Sequence, residues 1–273
     1  MKKILVATDF STCAGNAMEY AMELAKVLGF EICAVHAIGP MEGVNNNTYA
    51  AIYINDYQNH KKQALTTWAD TFSSRDEYKG VPVTTFCEVG SVSTVLTKYA
   101  EANAVELLVM GNMGSTGISG LFGSNVSAMV EKTKIPTLII PLESKFALQP
   151  VITLATDFST KLSAEDISAL NELVLGFRSQ KLTVLNVLEG SDWKTNEAGE
   201  SSLKALIPHV ELDFKYITEG SRIDGILNFV VSSEIDILCL VKHHHNVVYR
   251  LFNRSTVNQV MNRSVKAILV LHE

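Results

Sequence analysis

Short apolar runs and amphipathic stretches alternate along the chain from its first residues. Residues 4–7 (Ile-Leu-Val-Ala) form an apolar run that is typical of a strand buried on both faces of a sheet. From Ala14 to Leu28, apolar residues recur at helical spacing. The same reasoning predicts strands over residues 3–8, 31–38, 82–89, 107–111 and 137–141, with helices over 14–28, 49–73, 92–102 and 125–132. Alternating strands and helices predict the α/β class, with a doubly wound and mainly parallel sheet.

The chain consists of two copies of one unit. Residues 4–12 (ILVATDFST) and 152–160 (ITLATDFST) agree at seven of nine positions, at an offset of 148. Later segments align at a constant offset of 130, among them Gly90-Ser91 with Gly220-Ser221. The offset falls by 18, so copy one carries 18 extra residues, which we place near 39–57, where Gly, Pro and Asn cluster.

The repeat sets the domain organisation. In copy two, strands are predicted near 151–156, 181–188, 211–218, 235–241 and 266–272, again with helices between them. We therefore expect two tandem domains, each a five-stranded, mainly parallel sheet flanked by helices. The predicted boundaries are residues 1–143 for copy one, 144–150 for a short linker and 151–273 for copy two.

Composition removes several classes of protein. Hydrophobic residues make up 47% of the 273 residues and charged residues 19%, which suits a packed core and argues against disorder. A net charge of −6 argues against nucleic-acid binding. The apolar runs are too short for a membrane helix or a signal peptide, so we expect no membrane partner. The four cysteines form no CxxC pair, so reduced thiols in the cytoplasm are expected.

A glycine-rich segment follows the fourth predicted strand. Five glycines occur among residues 111–123, and a helix is predicted to begin near Ser124. Ligands of open α/β sheets bind beyond the carboxyl ends of the strands. Glycine lets the backbone approach a ligand, and the N–H groups at a helix start favour anions. The segment therefore indicates a phosphate cradle, with a mobile surface loop as the alternative. It contains no Lys or Arg, so a polyphosphate would need magnesium or contacts to its base.

Asp9 stands at the end of the first predicted strand. Its carboxylate could accept hydrogen bonds from ribose hydroxyls or hold a metal. Alternatively, Asp9 or Ser11 could cap the helix that follows. The recurrence of the motif at Thr156-Asp157-Phe158-Ser159 is compatible with both interpretations.

These motifs together resemble the universal stress protein family. They are ATDFS after the first strand, VMG at the end of the fourth, and G-x2-G followed by Gly-Ser. The resemblance covers essentially the whole chain as two tandem copies, and it implies binding of ATP or a related adenine nucleotide. The family pattern is Gly-x2-Gly-x9-Gly-[Ser/Thr]. Gly111, Gly114, Gly123 and Ser124 supply it here with a spacer of eight residues instead of nine.

The resemblance also implies positions for the nucleotide and for the assembly. The last strands of the family pair between domains, so residues 137–141 and 267–271 would pair within this chain as an intrachain pseudo-dimer, and a homodimer is a further expectation. The implied contacts are Thr8 and Asp9 near base and ribose, Val35 to adenine through its backbone, Met110, Gly111, Met113 and Gly114 to ribose and first phosphates, and Gly123, Ser124 and Asn125 to the outer phosphates.

Copy two lacks the glycine cradle. At the 130 offset, the positions of Gly111, Gly114, Gly117, Gly123 and Ser124 carry Val241, His244, Val247, Asn253 and Arg254. Because bulky side chains disfavour positive φ and would fill the phosphate space, copy two should not bind a nucleotide in the same way. The tract His243-His244-His245 could bind a metal, respond to pH or be a solvated loop, and no specific metal site is predicted.

Three functions remain open from the sequence. The first is a stress-response regulatory module that binds an adenine nucleotide in copy one only, without catalysis. The second is an interaction scaffold of the same fold that has lost its ligand. The third, a slow ATPase, ranks last because no base and attacking group stand out, and no catalytic residue is predicted.

Overall fold

The computed structural model describes residues 1–39, 50–113, 124–158, 162–189, 195–242, 259–261 and 263–272. Strands and helices alternate along both copies. In copy one they are β1 (Lys3–Ala7), α1 (Thr12–Leu28), β2 (Glu31–Ile38), α2 (Ala50–Ser73), β3 (Val83–Val89), α3 (Val92–Ala102), β4 (Val105–Gly111), α4 (Ser124–Lys132) and β5 (Thr137–Ile140). In copy two they are β6 (Ile152–Ala155), α5 (Ser168–Gly176), β7 (Lys181–Glu189), α6 (Glu197–Leu206), β8 (Glu211–Glu219), α7 (Arg222–Ser232), β9 (Ile237–Lys242) and β10 (Ala267–His272).

The ten strands of the described residues form one sheet. Its order is β3-β2-β1-β4-β5-β10-β9-β6-β7-β8, so each copy contributes five parallel strands in the same internal order. The copies meet where β5 pairs antiparallel with β10, with Ile139 opposite Ile268 and Leu138 opposite Leu269. This central pairing confirms the expected union of the two copies through their last strands, and it leaves β3 and β8 at the outer edges.

Helix α1 begins and ends where its sequence provides caps. The side chain of Ser11 accepts a hydrogen bond from the N–H of Ala14, and Gly29 ends the helix in the left-handed region at φ 68°. Small and apolar residues such as Ala17 and Ala21 are fully buried against the sheet. Helices α1 and α5 share one face of the sheet with a continuous apolar core, while α3, α4 and α7 cover the other face.

The observed strands agree with the predicted ones to within two residues at each end, and the fold class is confirmed. The first helix of copy two is the main difference. It begins at Ser168, whereas the position equivalent to Thr12 is residue 160. Before it, Ser163 and Asp166 form a local turn, in which each side chain accepts a hydrogen bond from the backbone N–H of the other. Side chains that bond locally in this way compete with helix formation.

The segment between β5 and β6 packs against α1. The side-chain amide of Asn16 donates to the carbonyl oxygens of Pro141 and Ser144, at 2.9 and 3.1 Å. The ring of Phe146 lies between Tyr20 and Phe177, with centroid distances of 5.2 and 5.7 Å. The connection between the copies is therefore held by hydrogen bonds and aromatic contacts. Among the described residues, no helix is both long and apolar enough to cross a membrane.

Candidate functional site

A cleft opens in copy one at the carboxyl ends of β1 and β4. The sheet order reverses between these two strands, which is where ligands bind in open α/β folds. The cavity has a volume of about 100 Å³. Seven of the ten predicted site residues line it, namely Thr8, Asp9, Val35, Met110, Gly111, Met113 and Asn125. Ser124 is the exposed first residue of α4, and Gly114 and Gly123 lie outside the described residues.

The cleft is also lined by apolar residues that the sequence did not single out as site residues. Val92 and Leu96 from α3, Val126 from α4 and small alanines from β1, α1 and β2 lie among the predicted residues. In a sequence, apolar residues such as these are expected in the core. They become part of a cleft only because the fold places them at the strand ends. Apolar walls with a few polar groups are typical of small-molecule sites.

The turn after β1 directs Asp9 to the mouth of the cleft. The Oδ1 atom of Asp9 accepts a hydrogen bond from the N–H of Ser11 at 3.0 Å, and Oγ1 of Thr8 accepts one from the N–H of Phe10 at 3.0 Å. Ser11, and not Asp9, is the N-cap of α1. Phe10 takes a positive φ of 66°, a conformation that costs energy for an aromatic residue. The tight turn leaves the Asp9 carboxylate beside the cavity as a hydrogen-bond acceptor.

Both backbone polar groups of Thr8 form hydrogen bonds to residues of β2. Its N–H donates to the carbonyl oxygen of Val35 at 2.9 Å, and its own carbonyl oxygen accepts from Nδ1 of His36 at 2.9 Å. The carbonyl of Val35 is thus engaged within the sheet. Residues two positions apart on a strand direct their backbone N–H and C=O groups to the same neighbouring strand. Ala37 therefore directs its backbone groups to the same side as Val35, but β1 ends at Ala7, so no strand residue lies opposite them. This places the backbone of Ala37 as well as the side chain of Val35 at the cleft.

Gly111 allows the end of β4 to touch the first turn of α1. The Sγ atom of Cys13 lies 3.2 Å from Oδ1 of Asn112 and 3.6 Å from the carbonyl oxygen of Ile140. Cys13 is buried, and this burial raises the pKa of its thiol. The position of Cys13 near a helix start could have lowered the pKa, but desolvation dominates. Cys13 is therefore a packing residue.

Copy two repeats the turn but not the cavity. The N–H of Thr156 donates to Leu185, the amide of Asn186 donates to the carbonyl of Thr156, and Phe158 again has a positive φ of 54°. The corresponding pocket among the described residues leaves no room for a water molecule. Its lining includes Arg222, which stands where copy one has Val92.

Two features of the electrostatics limit what the clefts can hold. The described lining of the copy-one cleft contains one carboxylate, that of Asp9, and no Lys or Arg. Among the residues that the structure describes, no group of three His, Cys, Asp or Glu side chains is arranged to hold a metal ion. The histidine tract 243–245 lies outside those residues.

Comparisons with known proteins point to one family. The profile of the universal stress protein family matches residues 1–141. A universal stress protein of Methanocaldococcus jannaschii is 25% identical over 152 residues, which cover 51% of this chain and 94% of that protein. Universal stress protein YxiE of Bacillus subtilis is 26% identical over 145 residues, which cover 50% of this chain and 97% of that protein.

A solved structure matches along both copies. The crystal structure of a universal stress protein from Archaeoglobus fulgidus covers 98% of this chain and 97% of its own, with a TM-score of 0.73 and 16% identity. At this identity the likeness shows the fold, which is that of two units in tandem. The family profile spans just over half of the chain and includes the whole cleft. The chain belongs to the universal stress protein family.

Proposed function

We propose that this chain is a stress-response regulatory protein that binds an adenine nucleotide, ATP or the related ADP or AMP, in the cleft of copy one and does not act as a catalyst. The observation that carries the proposal is the open cavity at the sheet reversal, lined by seven of the ten residues for which the resemblance to the family implies a nucleotide contact. The family membership supports it further.

Each part of the cleft suits one part of such a ligand. The apolar walls from Val35, Val92 and Leu96 suit a flat base. The Asp9 carboxylate accepts hydrogen bonds, as ribose hydroxyls require. Asn125 in the first turn of α4 also lines the cavity, and N–H groups at the start of a helix favour phosphate. Magnesium would offset the phosphate charge, because no cation lines the described cleft.

The restriction to copy one rests on the contrast between the clefts. Copy two keeps the Asp157 turn, but Arg222 replaces Val92 and Val241 replaces Gly111. Among the described residues, the pocket left there has no room for a water molecule, whereas the cavity of copy one holds about 100 Å³. A nucleotide there would have to displace Arg222 or other side chains that line this pocket.

A binding role, without turnover, fits the titratable groups of the cleft. Asp9 and His36 are the two such groups in its described lining. Asp9 accepts from the N–H of Ser11, and His36 donates to the carbonyl of Thr8. Both are held by the backbone of the same turn, an arrangement that shapes the cleft.

The domain division is part of the same proposal. Residues 1–143 and 151–273 would form the two domains, with 144–150 as the linker. The contacts of Asn16 with Ser144 and of Phe146 with Tyr20 and Phe177 support a short, packed connection. A homodimer of the whole chain stays a prediction, for which light scattering is the measurement.

Isothermal titration with ATP and magnesium chloride tests the proposed function. The wild type should bind one nucleotide per chain. The equivalent aspartates provide a matched pair: Asp9→Ala should weaken binding by at least tenfold, and Asp157→Ala should leave it unchanged. A stoichiometry of two, or equal losses in the two variants, would contradict binding in copy one alone.

The lack of a cation in the described cleft favours one alternative, an interaction scaffold of the same fold without a ligand. The same titration separates the two functions. If no saturation occurs at millimolar ATP with magnesium, the scaffold replaces the nucleotide-binding module as the better proposal. Phosphate release by the wild type that disappears in Asp9→Ala would instead indicate an ATPase.

A further inference from the structure

A lysine of copy two reaches into copy one at the centre of the molecule. Lys242 is the last residue of β9 and is 8% exposed. Its ammonium group donates to the carbonyl oxygens of Val130 and Glu131, at 2.7 and 2.9 Å. Both carbonyls belong to the last turn of α4, the helix whose first turn lies at the proposed phosphate end of the cleft.

Among the residues that the structure describes, this contact has no counterpart in the pseudo-symmetric position. The residue of copy one that aligns with Lys242 is Asn112, which contacts Cys13 of its own copy. Lys242 itself is held firmly, because all six residues of β9 are buried and the strand pairs with β10 beside the central seam, with His272 opposite Lys242. The cation is thus presented to α4 from a rigid strand.

The contact with Lys242 should stabilise the carboxyl end of α4. The last carbonyls of a helix lack partners within it, and a cation there stabilises the helix through both hydrogen bonds and the macrodipole. Helix α4 has nine residues, so its two ends are roughly 14 Å apart. A short helix fixed at its carboxyl end keeps its first-turn N–H groups in one position, and a pre-organised site loses less entropy when it binds.

We propose that Lys242 is a positioning residue through which copy two fixes α4 for the phosphates of the nucleotide in copy one. The inference rests on the proposed function. Copy two would thereby contribute to the nucleotide site of copy one. Because Lys242 acts through α4, it should affect the phosphate contacts and not the base and ribose contacts made by β1 and β2.

The test compares ATP with adenosine, which has the base and ribose but no phosphate. In titrations of Lys242→Met, affinity for ATP with magnesium should fall roughly tenfold, while affinity for adenosine should stay within about twofold of wild type. Lys242→Gln, a second neutral variant, should show the same selective loss to a smaller extent. Lys242→Arg, which keeps a cation and N–H donors, should restore most of the ATP affinity. Lys215→Met, at an exposed lysine of β8, is the matched control and should change neither affinity.

A readout without nucleotide accompanies the titrations. Amide hydrogen exchange over residues 124–132 should be faster in Lys242→Met than in wild type, with other helices unaffected. Equal losses of ATP and adenosine affinity, or no loss in either, would overturn the role of Lys242 while leaving nucleotide binding by the wild type in place. If the wild type binds neither ligand, the proposed function fails and this inference fails with it.

Discussion

A Cβ atom added to Gly111 would lie 2.8 Å from the Sγ atom of Cys13 and 3.0 Å from the carbonyl carbon and oxygen of the same residue. The end of β4 and the first turn of α1 are therefore in contact through a glycine. Copy two has Val241 at the equivalent position, and its first helix begins only at Ser168. The larger residue and the later helix start are consistent with each other, because a helix placed like α1 would collide with the side chain of Val241.

Gly111→Ala should therefore destabilise the protein. The added methyl group forces either α1 or β4 to move, and overpacking of this kind costs about 1–3 kcal/mol in the free energy of unfolding. Urea unfolding of wild type and variant measures the difference. Because Gly111 also lines the cleft, the variant should bind ATP more weakly than wild type.

The double variant Cys13→Ala with Gly111→Ala tests whether a clash with Cys13 causes the loss of stability. It removes the sulfur at 2.8 Å but keeps the backbone atoms at 3.0 Å, so only part of the lost stability should return. Full additivity of the two single effects would argue against a clash between these residues.

His36 should matter for the hydrogen bond that it makes to the backbone of Thr8. Its Nδ1 donates to the carbonyl of Thr8, and Asn186 makes the same bond to Thr156 in copy two, at 2.8 Å. His36→Asn should therefore be more stable than His36→Leu, which would leave a buried carbonyl without this donor at a cost of about 1–3 kcal/mol.

The two copies provide their own comparison for this effect. Asn186→Leu should destabilise the protein as His36→Leu does, because it removes the equivalent donor. Urea unfolding again provides the measurement. If His36→Leu proves as stable as His36→Asn, the hydrogen bond does not contribute as the geometry indicates.

Stability should depend on pH through Asp213 on the edge strand β8. The hydrogen bond from Lys181 at 2.8 Å, supported by Lys215, holds the pKa of Asp213 below its usual 3.8. A carboxyl whose pKa is lower in the folded state contributes stability above its unfolded pKa and loses it as pH falls through the folded pKa. The stability gap between wild type and Asp213→Asn should thus shrink as pH falls below about 4.

Unfolding midpoints in urea at several pH values between 5 and 3 measure this gap. As a control, Asp213→Asn made in a Lys181→Met background should give a smaller gap, because the main partner of the carboxylate is gone. An unchanged gap over the whole range would show that Asp213 does not form these ion pairs in solution.

The four thiols should differ in reactivity. Cys13, Cys33 and Cys239 are buried, Cys87 is partly exposed, and burial raises the pKa of all four thiols. A thiol reagent at pH 8 should modify one cysteine per native chain, slowly, and four after unfolding. Cys87→Ser should remove the native reaction. Rapid modification of a second thiol would contradict the observed burial of the other three.

Local pattern was enough to predict most of the fold. Strand β2 and helix α3 lie at the predicted residues, because apolar periodicity and capping residues act within a few positions of each other. The pattern could not predict the late start of α5, where Ser163 and Asp166 form a turn in place of a helix. Side-chain to backbone bonds of this kind compete with the helix without changing its apolar periodicity.

The candidate site divides in the same way. The sequence by itself determined the duplication, the Thr8-Asp9 motif and the loss of glycines in copy two. The tertiary structure decided that Ser11 caps α1 while Asp9 lines the cleft, that Arg222 lines the smaller described pocket of copy two, and that Lys242 reaches the end of α4. These relationships join residues up to 112 positions apart, and they depend on the register of strands across the sheet, which no local pattern specifies.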